Sequence, residues 1–133
     1  MKGFLDSSVI VRYLVEDQPA LTGRAARIID GSRDLLVTDA VIAEVAWVLT
    51  KVYAIPREAV VDELVSLRQK ENIDTWGVDR GEAVQGLLLC RPSGRVSFAD
   101  AMLWAAARSR GASPVYSFDE RFPSDGVEVR REA

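Results

Sequence analysis

Hydrophobic positions along the chain form two alternating patterns: short apolar runs, and longer segments in which apolar residues recur at helical spacing. Leu21, Ala25 and Ile28, for example, are three or four positions apart, which is the spacing of one helix face. The short runs favour strands at residues 2–5, 35–37, 73–76, 114–117 and 127–129, and the periodic segments favour helices at about 8–15, 19–30, 40–53, 56–69, 80–90 and 98–110.

Polar residues, proline and glycine mark the ends of these predicted helices. We expect Ser7 or Ser8 to cap the first helix and Ser97 the last, because a short side-chain oxygen accepts from free backbone N–H groups. The other boundary signals are Thr38 and Asp39 before the third helix, Pro19 and Pro56 at helix starts, a capping-box pattern over 79–82, and Gly31 and Gly111 as stops.

Strands that alternate with helices predict parallel pairing, because each helix carries the chain back to the same edge of the sheet. The expected fold class is α/β, a three-layer sandwich with a central parallel sheet flanked by helices. The sequence contains no internal repeat, low-complexity tract or interdomain linker, so residues 1–133 are interpreted as one domain.

Composition narrows the possible chemistry. The chain has no histidine, which excludes a Ser-His-Asp triad, a Cys-His dyad and a His-ligated zinc site. Cys90 is the single cysteine, so no intrachain disulfide can form, and a reducing cytoplasm is the expected compartment. No apolar run is long enough to predict a membrane span. Any catalysis must therefore rest on carboxylates, hydroxyls, Arg, Lys or an oxygen-bound metal such as Mg²⁺ or Mn²⁺.

Four acidic residues lie where such chemistry is expected. Asp6 follows the first strand, Asp119 follows the fourth, Glu44 lies early in the helix after the second, and Asp100 lies in the first turn of the last helix. Ligands of open parallel sheets bind outside the carboxyl ends of the strands. We therefore expect these side chains to face one edge and to need a divalent cation, because clustered carboxylates repel one another.

Each acid also has a purely structural interpretation. Asp6 is a reasonable turn or cap residue, Asp119 can cap a short helix, and Asp100 can complete a capping box with Ser97. Glu44 is the only charge in the apolar segment 40–49, so it must reach solvent or find a positive partner.

The segments around these acids resemble the motifs of PIN domains. Residues 4–10 (FLDSSVI) are similar to the opening motif, 43–45 (AEV) to the second acidic position, 97–107 (SFADAMLWAAA) to the third motif, and 117–122 (SFDERF) to the fourth. The four motifs are in the family's order and cover almost the whole chain. Size and pattern are most similar to VapC-type toxins of toxin–antitoxin pairs. The sequence departs from the family pattern at three positions. Ser8 replaces the more typical Asn, Ser117 replaces Thr, and Arg121 occupies a position where some relatives have a further acid.

The resemblance implies a ribonuclease that uses Mg²⁺ or Mn²⁺ and leaves 5′-phosphate and 3′-hydroxyl ends. Asp6, Asp100 and Asp119 would face the metal, and Glu44 would complete the site and orient the attacking water. Ser7, Ser8 and Ser117 would hold the carboxylates in place.

The resemblance also implies partners: an RNA substrate, a cognate antitoxin and a second copy of the chain in a homodimer. Arg91 and Arg95 flank the loop before Asp100 and are the expected phosphate contacts, with Arg12, Arg24 and Arg27 as further candidates. The aromatic residues Tyr13, Trp47, Trp76, Trp104 and Phe118 are more typical of a core than of a base-stacking surface.

Four alternatives to a toxin ribonuclease fit parts of the sequence. A haloacid-dehalogenase-type phosphatase needs a second Asp two positions after the first, where Ser8 stands. A response-regulator receiver domain needs a late lysine, and none follows Lys70. A catalytically silent PIN-like interaction module remains open, as does a housekeeping RNA-processing nuclease.

Overall fold

The structure, a computed structural model, describes residues 2–31 and 33–132. The strands within these residues are β1 (Gly3–Phe4), β2 (Leu35–Thr38), β3 (Ile73–Trp76), β4 (Val115–Tyr116) and β5 (Val129–Arg130). The helices are α1 (Ser7–Leu14), α2 (Pro19–Ile29), α3 (Asp39–Trp47), α4 (Arg57–Arg68), α5 (Arg80–Leu89) and α6 (Phe98–Ser109), with a π-helical segment at Val48–Val52 that extends α3.

The described strands pair in parallel. β2 lies between β1 and β3, with Leu35 beside Gly3 on one side and beside Ile73 on the other. β4 and β5 form a separate parallel pair, with Val115 beside Val129. The predicted α/β fold, parallel strands with flanking helices, is confirmed.

The buried face of the three-stranded sheet explains why the central helices are so apolar. Leu35, Val37 and Ile73 alternate with exposed or half-buried neighbours, as expected for strands with one face against the core. Val45 on α3 and Leu64 on α4 belong to the same buried cluster. This packing fixes α3, whose exposed face carries Glu44.

Two predicted helix caps are wrong. Asp6, rather than Ser7 or Ser8, is the N-cap of α1, and its carboxylate accepts from the backbone N–H of Ser8. Asp79 precedes α5 without a side-chain cap hydrogen bond. The capping box predicted there does not form in the described structure, because Glu82 pairs instead with Arg108 on α6 (Nε–Oε2 3.4 Å). The caps at Thr38 and Ser97 are confirmed.

The close approach of α5 to α6 depends on Gly86. A Cβ at this position would lie 2.8 Å from the backbone oxygen of Ala101 and 3.3 Å from the Met102 side chain. Gly81, on the same helix, has open space around it. Since α6 carries Asp100 in its first turn, the contact at Gly86 also sets where that acid lies.

Replacing Gly86 with alanine should therefore destabilise the protein. The added methyl group must push two backbones apart, which typically costs about 1–3 kcal/mol of unfolding free energy. Gly81→Ala is the matched control and should leave stability unchanged or raise it by up to about 1 kcal/mol through helix propensity. Urea denaturation of both variants measures the difference, and equal stability of the two would show that the α5–α6 contact is not close-packed.

None of the helices in the described part of the chain combines the length and apolarity that crossing a bilayer requires.

Candidate active site

Asp6 lies at the turn from β1 into α1. Its carboxylate accepts from the backbone N–H of Ser8 (3.2 Å) and from the Ser8 hydroxyl, and the side chain is exposed. The hydroxyl hydrogen bond is the main cause that lowers the pKa of Asp6, and the backbone bonds from Ser8 and Ser7 add to it. Asp6 is therefore held as an anion at neutral pH, with Ser8 fixing its orientation.

Glu44 reaches solvent. It lies on the exposed side of α3, while Ile42, Val45 and Ala46 of the same helix are buried. Among the residues that the structure describes, Glu44 takes part in no ion pair. The sequence left two possibilities for this charge, exposure to solvent or pairing with a cation, and the structure shows exposure.

Asp100 lies in the first turn of α6, and its backbone N–H donates to the Ser97 hydroxyl (3.1 Å). Arg57 on α4 holds the preceding loop, because its guanidinium donates to the Val96 carbonyl (3.3 Å) and stacks on the Phe98 ring at 4.6 Å. The position of Asp100 thus depends on a cation–π contact and on the cap at Ser97.

Asp119 lies in a turn beyond β4 and not at the start of a helix. Its backbone N–H donates to the Ser117 hydroxyl (3.1 Å). Both carboxylate oxygens accept from the Arg121 guanidinium, Oδ1 at 3.1 Å and Oδ2 at 3.2 Å. These hydrogen bonds are the main cause that lowers the pKa of Asp119.

Three of the acids, Asp6, Glu44 and Asp100, lie on or at the end of helices that contact one another. α3, which carries Glu44, packs on α1, which Asp6 caps, and on α6, whose first turn contains Asp100. Asp119 is linked to Asp100 through Arg121: the pKa of Arg121 is raised mainly by Asp119, and the charge of Asp100 contributes. Within residues 2–31 and 33–132, however, no three acidic or cysteine side chains are close enough together to hold a metal ion.

The chemistry of the donor set suits a hard divalent cation. Asp6 and Asp100 offer exposed or half-buried carboxylates, and oxygen ligands are those that Mg²⁺ and Mn²⁺ prefer. In Asp6 the described hydrogen bonds use Oδ2, leaving Oδ1 for a ligand. Asp119 fits only if the Arg121 guanidinium leaves its carboxylate.

The predicted phosphate contacts differ in their surroundings. Arg91 makes a forked ion pair with Asp62 on α4 (2.8 and 3.0 Å), which directs its guanidinium toward that helix. Arg95 is exposed and forms no ion pair within the described residues. Arg12 pairs with Asp17 at 3.0 Å and, with Arg24, lines a groove of about 260 Å³ between α1 and α2.

Sequence reasoning missed the contact of Arg121 with Asp119 and misjudged three aromatic residues. Phe118, Trp76 and Trp47 are 88%, 62% and 57% exposed, so they are not core residues, whereas Trp104 is buried as expected. The two-residue spacing of Arg121 from Asp119 was the available signal for the ion pair.

The fold is parallel α/β, with Asp6 at the turn from β1 into α1 and further acids on α3, on α6 and beyond β4. Domains of this class bind ligands outside the carboxyl ends of their strands. The sequence matches the family described as PIN domain over residues 3–124, and the chain belongs to that family. PIN domains are generally nucleases, and they typically use divalent metal ions. No curated protein matches the chain.

Proposed function

We propose that this protein is a metal-dependent endoribonuclease whose site is formed by Asp6, Glu44, Asp100 and Asp119. The observation that carries the proposal is the packing of α3 on both α1 and α6, because it brings the elements bearing three of these acids together in a chain of the PIN family. Its nucleic-acid substrate follows from the family, and the choice of RNA rests on the resemblance to VapC-type toxins.

Asp6, Asp100 and Asp119 would hold Mg²⁺ or Mn²⁺, with Ser8 fixing Asp6, Ser117 fixing the turn of Asp119, and Ser7 helping to keep Asp6 ionised. When bound, such an ion lowers the pKa of water and offsets charge on the phosphate. Glu44, exposed and without a described ion-pair partner, would orient the attacking water and accept its proton. The water oxygen would bond to phosphorus as the P–O3′ bond breaks, and the leaving O3′ would take a proton from solvent, which gives 5′-phosphate and 3′-hydroxyl ends.

The proposal extends to a biological role: the toxin of a type II toxin–antitoxin pair, active as a homodimer in the cytoplasm. Exposed Trp47 and Val52 on the α3 side support a protein-binding surface. Cys90 is buried, and burial raises the pKa of its thiol to about 11, so the thiol stays protonated and unreactive at neutral pH. A cognate antitoxin would cover the acidic site.

A catalytically silent interaction module is the second candidate. The forked ion pair of Arg121 with Asp119 favours it, because that contact occupies one of the four acids. A housekeeping RNA-processing nuclease would share the chemistry of the first proposal and differ only in its target.

Cleavage of a fluorophore–quencher single-stranded RNA by the purified protein tests the proposal. We expect cleavage with Mg²⁺ or Mn²⁺, complete loss in excess EDTA, and recovery when Mn²⁺ is restored, because the carboxylates need the cation to bring a phosphate near. Cleavage that persists in EDTA would contradict metal dependence. A folded protein, freed of any bound partner, that cleaves with neither metal would instead favour the silent module.

A further inference from the structure

Arg121 is placed to make contacts beyond its own turn. Its side chain is 65% exposed and its guanidinium binds both oxygens of Asp119, while Asp100 lies near enough for its charge to raise the pKa of Arg121. A forked guanidinium recognises phosphate with the same geometry that it uses for carboxylate. The side chain therefore suits both an acid of the candidate site and the substrate of a nuclease.

The backbone of this turn is held at several points. The Asp119 N–H donates to Ser117, the Arg121 N–H donates to Asp119 Oδ1 (2.8 Å), and the Phe122 N–H donates to the Asp119 carbonyl (3.1 Å). Phe122 is buried in the core cluster beneath the turn. The guanidinium can consequently move while the Cα of residue 121 stays beside the site.

We propose that Arg121 exchanges partners during the reaction cycle, binding Asp119 when no metal is present and the phosphodiester of single-stranded RNA when it is. The inference rests on the proposed function and assigns Arg121 as a substrate-binding residue. It also gives the departure of the sequence from the family pattern at this position a chemical role.

The exchange is feasible because exposed ion pairs are weak in water. A divalent cation attracts the Asp119 carboxylate more strongly than a single guanidinium does, and the phosphate that arrives with the metal offers the displaced guanidinium an equivalent anion. Removing Arg121 should thus have opposite effects on two ligands: tighter metal binding and weaker RNA binding.

Arg131 provides a matched control. Its charge also lowers the pKa of Asp119, but its guanidinium donates to the Ser117 carbonyl (3.4 Å) and not to the carboxylate. Arg131→Ala removes a nearby positive charge and leaves the forked contact in place. Arg121→Lys retains the charge of residue 121 and removes the fork.

The experiment measures Mn²⁺ binding by calorimetry, and binding of a fluorescein-labelled single-stranded RNA in Mn²⁺ by anisotropy across a salt series. Glu44→Gln is present in every protein used for RNA binding, so that the RNA stays intact. Arg121→Ala should bind Mn²⁺ up to about fivefold more tightly and bind RNA more weakly, with a salt slope smaller by about 0.7, the loss of one phosphate contact. Arg131→Ala should change Mn²⁺ affinity less, and Arg121→Lys should recover part of the RNA affinity.

Unchanged or weaker Mn²⁺ binding by Arg121→Ala overturns the proposal, as does tighter Mn²⁺ binding with RNA affinity and salt slope unchanged. In both cases, metal-dependent RNA cleavage by the protein without substitutions would still support the proposed function. If that enzyme neither binds Mn²⁺ nor cleaves RNA, the proposed function fails and this inference falls with it.

Discussion

Glu44→Gln should reduce RNA cleavage by at least about 100-fold, the range typical of a lost general base. The substitution keeps the size and polarity of the side chain and removes the charge that would orient water and accept its proton. Glu44 is exposed, and the buried residues of α3 pack without its side chain. The variant should therefore unfold at the same urea concentration as the unaltered protein. Single-turnover cleavage of a labelled RNA measures the loss.

Glu63→Gln is the appropriate control for this experiment. Glu63 is also an exposed glutamate on a helix, but it lines a cavity with Tyr13 and Leu14 at the opposite end of α1 from Asp6. The rate of cleavage by this control should stay within about twofold of the rate of the unaltered enzyme. A surface substitution away from the site usually changes free energies by no more than about 0.5 kcal/mol. Near-normal turnover of Glu44→Gln would make Glu44 a surface residue with no catalytic part.

Much of the fold could be predicted from periodicity and end signals. The strand at Ile73–Trp76 and the helix that Pro19 begins were predicted within a residue, because local spacing and a proline decide them. The third helix differs: it changes to a π-helical segment at Val48–Val52, a change in hydrogen-bond register that hydrophobic periodicity does not encode.

The site was less accessible to sequence reasoning, for physical reasons. Which oxygen caps α1 depends on a backbone turn, so Ser7 and Ser8 looked as suitable as Asp6. Which acid an arginine pairs with can be known only once the chain is folded. Arg91, for example, lies near Asp100 in the sequence but pairs with Asp62 on α4. Exposed aromatic residues such as Phe118 could not be separated from core residues, because composition does not reveal which side of an element is covered.

The second large effect concerns metal affinity. Asp6→Asn and Asp100→Asn should each weaken Mn²⁺ binding by at least about tenfold, since even partners outside the ligand shell change affinity by this much. Asparagine keeps the shape of each side chain and removes one negative charge. If both acids hold one ion, the second substitution should add little to the first, because the shared site is already lost.

Asp79→Asn is the matched control for these substitutions. Asp79 is exposed, and its backbone N–H donates to Ser109 in the last turn of α6. Asp100 lies nine residues earlier on that helix, a separation of about 14 Å along its axis. The control removes an acid that precedes α5 and lies beside the last turn of α6, far from Asp100, and should leave Mn²⁺ affinity unchanged.

Calorimetric titration of Mn²⁺ into the unaltered protein, the two single variants, the double variant and Asp79→Asn is the most direct test that distant acids share one cation. The prediction is a single tight site that both single substitutions weaken and that the control retains. Mn²⁺ binding in Asp6→Asn and Asp100→Asn that equals that of the unaltered protein would contradict it.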